Sequence, residues 1–334
     1  MSAAPLSPFL RTTGLNHWRW ASFVAAIGLL VAGAEARESA TPTHLPDYAD
    51  VSYGSHPRQK LDVWRVHTAE PTPVLVYFHG GGWVNGDKRI VPALSVYLEA
   101  GISVVSVNYR FANEALEAGV DPPIQWPLAD AARALQLIRS RALEWELDST
   151  RITASGESAG GCTALWLAFH DDLAQPLSDD PVARESTRLF RVAVALAQTT
   201  LDPLEMKAWI PNIEYGGHAF GFMPDPRNLK TRDTQFEAFL AARERLLPWI
   251  NRYSPYANVT LDDPPVYLFY TGAPAVGQPQ TDSAHSANFG VMLEARLRQR
   301  GVACELVYPG APDVSHSHLS DYVIEHSRDR TPSQ

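Results

Sequence analysis

Six short apolar runs, each too short for a helix, recur along the chain and alternate with segments of helical spacing. This alternation limits the possible folds more than any other feature. The runs are residues 74–78 (VLVYF), 102–107 (ISVVSV), 151–155 (RITAS), 190–197 (FRVAVALA), 265–271 (PVYLFYT) and 303–308 (ACELVY). Between and after them, residues 90–100, 127–146, 159–169, 288–300 and 319–326 read as helices. In 127–146, for example, Leu128, Ala131, Leu135 and Ile138 recur at helical intervals on one face. Strands and helices of these lengths predict an α/β protein with a doubly wound, mostly parallel sheet. Strands covered on both faces need no polar side, which accounts for their continuous apolar character.

Residues 202–262 break this rhythm. They hold Trp209, Tyr215, Phe220, Phe222, Met223, Phe236 and Trp249 among several prolines, and they are too long for a plain connection. They are read as a cap inserted between the sixth and seventh strands, over the carboxyl edge of the sheet. With 45% hydrophobic and 19% charged residues the chain can bury a full core. Lys and Arg total 28 against 37 Asp and Glu, a net charge of −9, so no basic face for nucleic acid is expected. After residue 35 no apolar run approaches the ~20 residues of a membrane span. Before it, Arg11 and Arg19 precede the apolar run 20–34, and Ala34-Glu35-Ala36 supplies small residues for cleavage. Residues 1–36 therefore read as a secretory signal peptide, which makes the protein exported, periplasmic or secreted, with residues 37–334 as the folded domain. Cys162 and Cys304 lie in elements far apart in such a fold and are expected as two thiols. Residues 327–334 look like a frayed polar tail.

Two motifs carry chemistry. Gly156-Glu157-Ser158-Ala159-Gly160 matches G-x-S-x-G and lies between a predicted strand and a predicted helix. A strand that turns sharply into a helix strains the serine backbone and points its hydroxyl out of the sheet. Upstream, His79-Gly80-Gly81-Gly82-Trp83 follows another strand. Glycines there leave backbone N–H groups free to converge on one point. Gly81, Gly82 and Ala159 are the expected oxyanion donors, with His79 anchoring the loop rather than acting as a base. Arg110 reads as a buried structural partner and Asp130 as a residue that fixes a loop.

Together the two motifs resemble the α/β-hydrolase fold, specifically the hormone-sensitive-lipase-like carboxylesterases with their H-G-G-G and G-(D/E)-S-A-G-G signatures. The segment Asn108-Tyr109-Arg110-Phe111-Ala112-Asn113-Glu114 is similar to that family's Y-R-L-A-P-E, departing from it at Phe111 and Asn113. The resemblance implies a Ser-His-Asp hydrolase with its triad in the order serine, acid, histidine. Its acid should follow the strand ending at Thr271, but Gly272-Ala273-Pro274-Ala275 holds no carboxylate, so the expected acid is Asp282. Its base should follow the last strand, which selects His316, with His318 as the alternative. His285 is read as structural or pocket-lining. A His-x-His metal pair at 316 and 318 lacks further ligands nearby in sequence, so no metal and no organic cofactor are expected. The expected activity is hydrolysis of a small-molecule carboxylic ester. An amidase or arylformamidase on the same fold, and a non-catalytic scaffold, are the alternatives. Oligomeric state is open.

Overall fold

Val74, Val76 and Phe78 alternate with Leu75 and Tyr77, and all five are buried, because helices cover both faces of the strand they form. That strand, β3 (Thr72–Phe78), is central in an eight-stranded sheet. The others are β1 (Tyr48–Ser52), β2 (Lys60–Trp64), β4 (Ser103–Val107), β5 (Leu147–Glu157), β6 (Arg191–Ala195), β7 (Val266–Phe269) and β8 (Cys304–Val307). They are ordered β1-β2-β4-β3-β5-β6-β7-β8. β2 pairs antiparallel with both β1 and β4; from β4 to β8 every pairing is parallel. This computed structural model describes residues 44–329. Residues 1–36, read as a signal peptide, and residues 330–334 of the tail lie outside the described residues. Among the described residues no helix is long and apolar enough to cross a membrane.

The mostly parallel, doubly wound sheet is the one predicted from the alternation. On one face lie α3 (Gln125–Ser140), α4 (Ala159–Phe169) and α8 (Asn288–Arg300), which bury Leu135, Leu165 and Leu293 against Val76, Ala154 and Leu268. On the other, Tyr97 of α1 (Leu94–Glu99) and Tyr322 of α9 (Leu319–His326) cover Leu75, Val104 and Tyr267. β1 and β2 went unread in the sequence. β1 is an edge strand with an exposed, bulged pairing, so it carries no apolar run to betray it. Between β6 and β7 the chain runs through α5 (Pro203–Trp209), α6 (Phe236–Ala241) and α7 (Arg243–Tyr253). Asp202 caps α5 by accepting from the Leu204 amide at 2.9 Å, and its carboxylate is gripped by Arg243 at 2.6 and 2.7 Å. Most of the insertion's aromatics pack on one another: Phe220 stacks on Phe239 at 5.2 Å, with Phe222 and Phe236 alongside.

Between β3 and β5 the winding reverses, since β4 lies on one side of β3 and β5 on the other. The crevice beyond the carboxyl ends of such strands is where open α/β sheets place their ligands. There the two glycine motifs meet. A methyl group on Gly156 would lie 2.6 Å from the Phe78 carbonyl oxygen, and one on Gly160 would overlap that oxygen and the His79 oxygen. Hydrogen at both positions is what lets β5 and α4 close against the end of β3. A Gly160→Ala variant should lose stability by about 1–3 kcal/mol, as overpacking does. Its urea midpoint checks this; an unchanged midpoint would mean the elbow tolerates a wider gap.

Candidate active site

Ser158 sits between β5 and α4 at φ 54°, ψ −123°, a backbone state that non-glycine residues rarely hold. The surroundings enforce it. Its amide donates to Ala195 O at 3.0 Å and its carbonyl accepts from Cys162 N at 2.9 Å. The turn leaves the hydroxyl half-exposed at the carboxyl edge of the sheet.

The hydroxyl meets a histidine from a loop far downstream. Ser158 Oγ lies 2.9 Å from His285 Nε2. The same ring's Nδ1 lies 2.9 Å from Asp282 Oδ2. Asp282 and His285 flank a single 3-10 turn in the loop after β7, so an i,i+3 spacing puts carboxylate and imidazole side by side. Two buried amides steady that loop. Gln198 donates to Ala284 O, and Asn288 spends its whole side chain on it: Oδ1 accepts from Ala275 N at 2.7 Å, while Nδ2 donates to Trp209 O and Ala275 O.

His316, expected as the base, is not there. Both its ring nitrogens are engaged elsewhere, Nδ1 with Glu305 Oε2 at 2.7 Å and Nε2 with Glu325 Oε2 at 3.2 Å. His318 is exposed at the start of α9. The physical reason is the path of the loop after β8. The Glu305 carboxylate on that strand accepts from the amides of Ser315 and His316 at 2.9 and 2.7 Å, and so folds the segment back onto its own strand. The structure thus brings Ser158 and Asp282 together through His285, and leaves His316 outside. The local signal is the pair Asp282-x-x-His285 just before a helix, whereas the order implied by the resemblance puts the histidine after the last strand.

The glycine loop is held from several sides. The Tyr109 hydroxyl donates to His79 O at 2.7 Å, and its ring stacks on the His79 ring at 4.3 Å. Trp83 Nε1 donates to Thr163 Oγ1 in α4 at 2.9 Å. His218, from the insertion, places Nε2 2.8 Å from Gly82 O. Gly81 and Gly82 adopt φ 98° and 62°. Among the described residues no acceptor receives the amides of Gly81, Gly82 or Ala159, so all three remain available beside Ser158. Arg110 is structural: it forks onto the buried Asp130 at 2.6 and 2.9 Å, and Asp130 also receives Gln59. The cavity over Ser158 has a volume of about 430 Å³ and is lined by Gly81, Gly82, Tyr215, Arg232 and His285 among others. Both cysteines are free thiols.

The comparisons with known proteins bear on family and fold. The BD-FAE family model matches residues 61–284. The chain belongs to the BD-FAE family, of the α/β-hydrolase class. The carboxylesterase NlhH of Mycobacterium tuberculosis is 36% identical to this BD-FAE member over 170 residues, covering 48% of this chain and 50% of that protein. The esterase LipC of the same organism is 34% identical over 117 residues, covering 33% of this chain and 27% of that protein. The chain thus spans half or less of the length of these relatives. Among solved structures, a truncated carbohydrate esterase from gut microbiota superposes with a TM-score of 0.60 at 18% identity, over 87% of this chain and 99% of that one. Thermogutta terrifontis esterase 2, phosphonylated by sarin, gives 0.60 at 20% identity, over 86% and 95%. These likenesses establish the fold, and with the family match they bear out the resemblance read from the two glycine motifs.

His79 carries a pH consequence. Burial pushes its pKa down from 6.5 to about 4, so the folded ring stays neutral in mild acid. An unfolded His79 binds a proton below about pH 6.5, so the unfolded state gains protons first as the pH falls. This contribution to stability is intact above pH 6.5 and is lost progressively between 6.5 and 4, by on the order of 3 kcal/mol. In an NMR titration the His79 ring should show no protonation above pH 5; a midpoint near 6.5 would contradict its burial.

Proposed function

We propose that the protein hydrolyses carboxylic esters through an acyl-enzyme. The observation that carries this reading is the unbroken chain from Ser158 Oγ to His285 to Asp282, two contacts of 2.9 Å each. Nucleophile to base and base to orienting acid is the geometry that activates a hydroxyl. Ser158 attacks the ester carbonyl and His285 Nε2 takes its proton. Asp282 accepts from Nδ1–H, which fixes the tautomer and offsets the charge of the imidazolium. The amides of Gly81, Gly82 and Ala159 stabilise the oxyanion of the tetrahedral intermediate, each such donor being worth ~2.7–4 kcal/mol. The imidazolium protonates the leaving alkoxide. Water then enters, gives its proton to His285 and attacks the acyl group, and Ser158 recovers its proton as the acid departs.

A set of single variants tests the assignment. Ser158→Ala and His285→Ala should each lower turnover of a nitrophenyl ester by on the order of a million-fold. His316→Ala should keep most of it. A fluorophosphonate probe should label the wild type at Ser158 and fail on His285→Ala. Full activity in His285→Ala, with loss in His316→Ala, would overturn the choice of base. An anilide assayed in parallel separates ester from amide hydrolysis.

The cavity wall bears on the substrate. Among the described residues the buried hydroxyl of Tyr215 has no hydrogen-bond partner, and burial keeps it protonated as a donor. Arg232 lies above the Tyr215 ring, 5.1 Å from its centroid. Two donors on the wall of the cavity that holds Ser158 favour an ester with acceptor oxygens near the scissile bond over a plain alkyl chain. Tyr215→Phe should raise KM for such an ester about 2- to 10-fold with kcat little changed, since one neutral hydrogen bond is lost. An equal effect on an alkyl ester would remove the hydroxyl from substrate recognition.

A further inference from the structure

His316, freed from the role first expected of it, belongs to a second cluster at the far end of α9. Glu325 and His326 close that helix, and His316 approaches from the loop before it. Each of the three offers a ligand atom, and these atoms lie within 4.8 Å of one another. His316 Nε2 is 3.2 Å from Glu325 Oε2. A tetrahedral zinc ion with bonds of 2.0–2.2 Å holds its ligand atoms about 3.3–3.6 Å apart, so little movement separates this pair from a ligating one.

The surroundings match a metal site more closely than a chance meeting of charges. Each histidine has its Nδ1 at a carboxylate outside the trio: His316 at Glu305 Oε2, 2.7 Å, and His326 at Asp329 Oδ2, 3.1 Å. A carboxylate on one ring nitrogen fixes the tautomer and leaves the Nε2 lone pair for a cation. The carboxylates are themselves held. Glu305 receives two backbone amides, and Asp329 receives Arg191 Nη2 at 2.8 Å. Tyr267 Oη donates to His316 O at 2.9 Å, and the His316 side chain is 9% exposed. Glu325, by contrast, is 68% exposed, which leaves the cluster open to water on one side.

From this juxtaposition we infer that His316, Glu325 and His326 bind a divalent transition-metal ion of the zinc type, with water in the fourth position. Two imidazoles and one carboxylate suit zinc and its neighbours, whereas calcium and magnesium take oxygen ligands. None of the three residues touches Ser158, and the ion clamps the loop 311–318 to the last helix.

Zinc binding to the chelator-stripped full chain, measured by calorimetry with Zn²⁺ alone, tests the inference. One zinc per chain is expected, with a rise in Tm on addition. His326→Ala and Glu325→Gln should weaken binding at least tenfold. Asp329→Asn should weaken it about 10- to 100-fold, as loss of an outer carboxylate does. His285→Ala should bind as the wild type does, which separates this site from the triad. A plain ion pair of His316 with Glu305 and Glu325 needs neither zinc nor His326. Absence of zinc binding by the wild type, or binding unchanged in His326→Ala and Glu325→Gln, overturns the site. Should His326→Ala fail to fold, Glu325→Gln decides, because that side chain is exposed.

Discussion

The close approach of α4 and β5 to the carboxyl end of β3 governs this protein. It depends on the absence of side chains at Gly156 and Gly160, where the Phe78 and His79 carbonyls fill the space a methyl group would need. The turn it permits drives Ser158 into a strained backbone state and presents its hydroxyl at the sheet edge. The same approach places Gly81, Gly82 and Ser158 on the wall of one cavity. Strain of this kind persists only where the surroundings over-determine it. Here they do so through Ala195 O and the first turn of α4.

Around that fixed point several buried polar groups fasten the loops that carry the site. Tyr109, Trp83 and His218 fasten the glycine loop, and Asn288 with Gln198 fastens the loop that delivers Asp282 and His285. Each is buried and hydrogen-bonded, so each removes freedom from a segment that would otherwise move. The insertion serves this end as well: its phenylalanines stack on one another within the main hydrophobic core, while Tyr215 and Arg232 line the cavity and His218 holds Gly82.

Asp282 and His285 lie on one turn, before α8, whereas the order implied by the resemblance puts the histidine after β8. The space after β8 is organised differently. Glu305 draws His316 back onto its own strand, and the final helix supplies Glu325 and His326 to the same spot. One loop serves the hydroxyl and the other builds a separate polar cluster, and a single carboxylate on β8 makes the difference.

The alternation of apolar runs and helical segments was sufficient for strands β3 to β8 and the helices that cover them, because burial on both faces leaves a continuous apolar run. The elbow and the glycine loop were legible for a related reason: a backbone approach that excludes side chains demands glycine at particular positions. Asp130 and Arg110 were readable as structure, being a carboxylate and a guanidinium suited to one buried fork. Which histidine meets Ser158 was not readable. His285, His316 and His318 all stand shortly before a helix, and the i,i+3 spacing of Asp282 and His285 does not by itself decide among them. Only the paths of two loops, set by Asn288 and Gln198 on one side and Glu305 on the other, decide which imidazole arrives. Those contacts join residues far apart along the chain, or depend on which way a carboxylate on an edge strand turns, and neither is written in any local pattern.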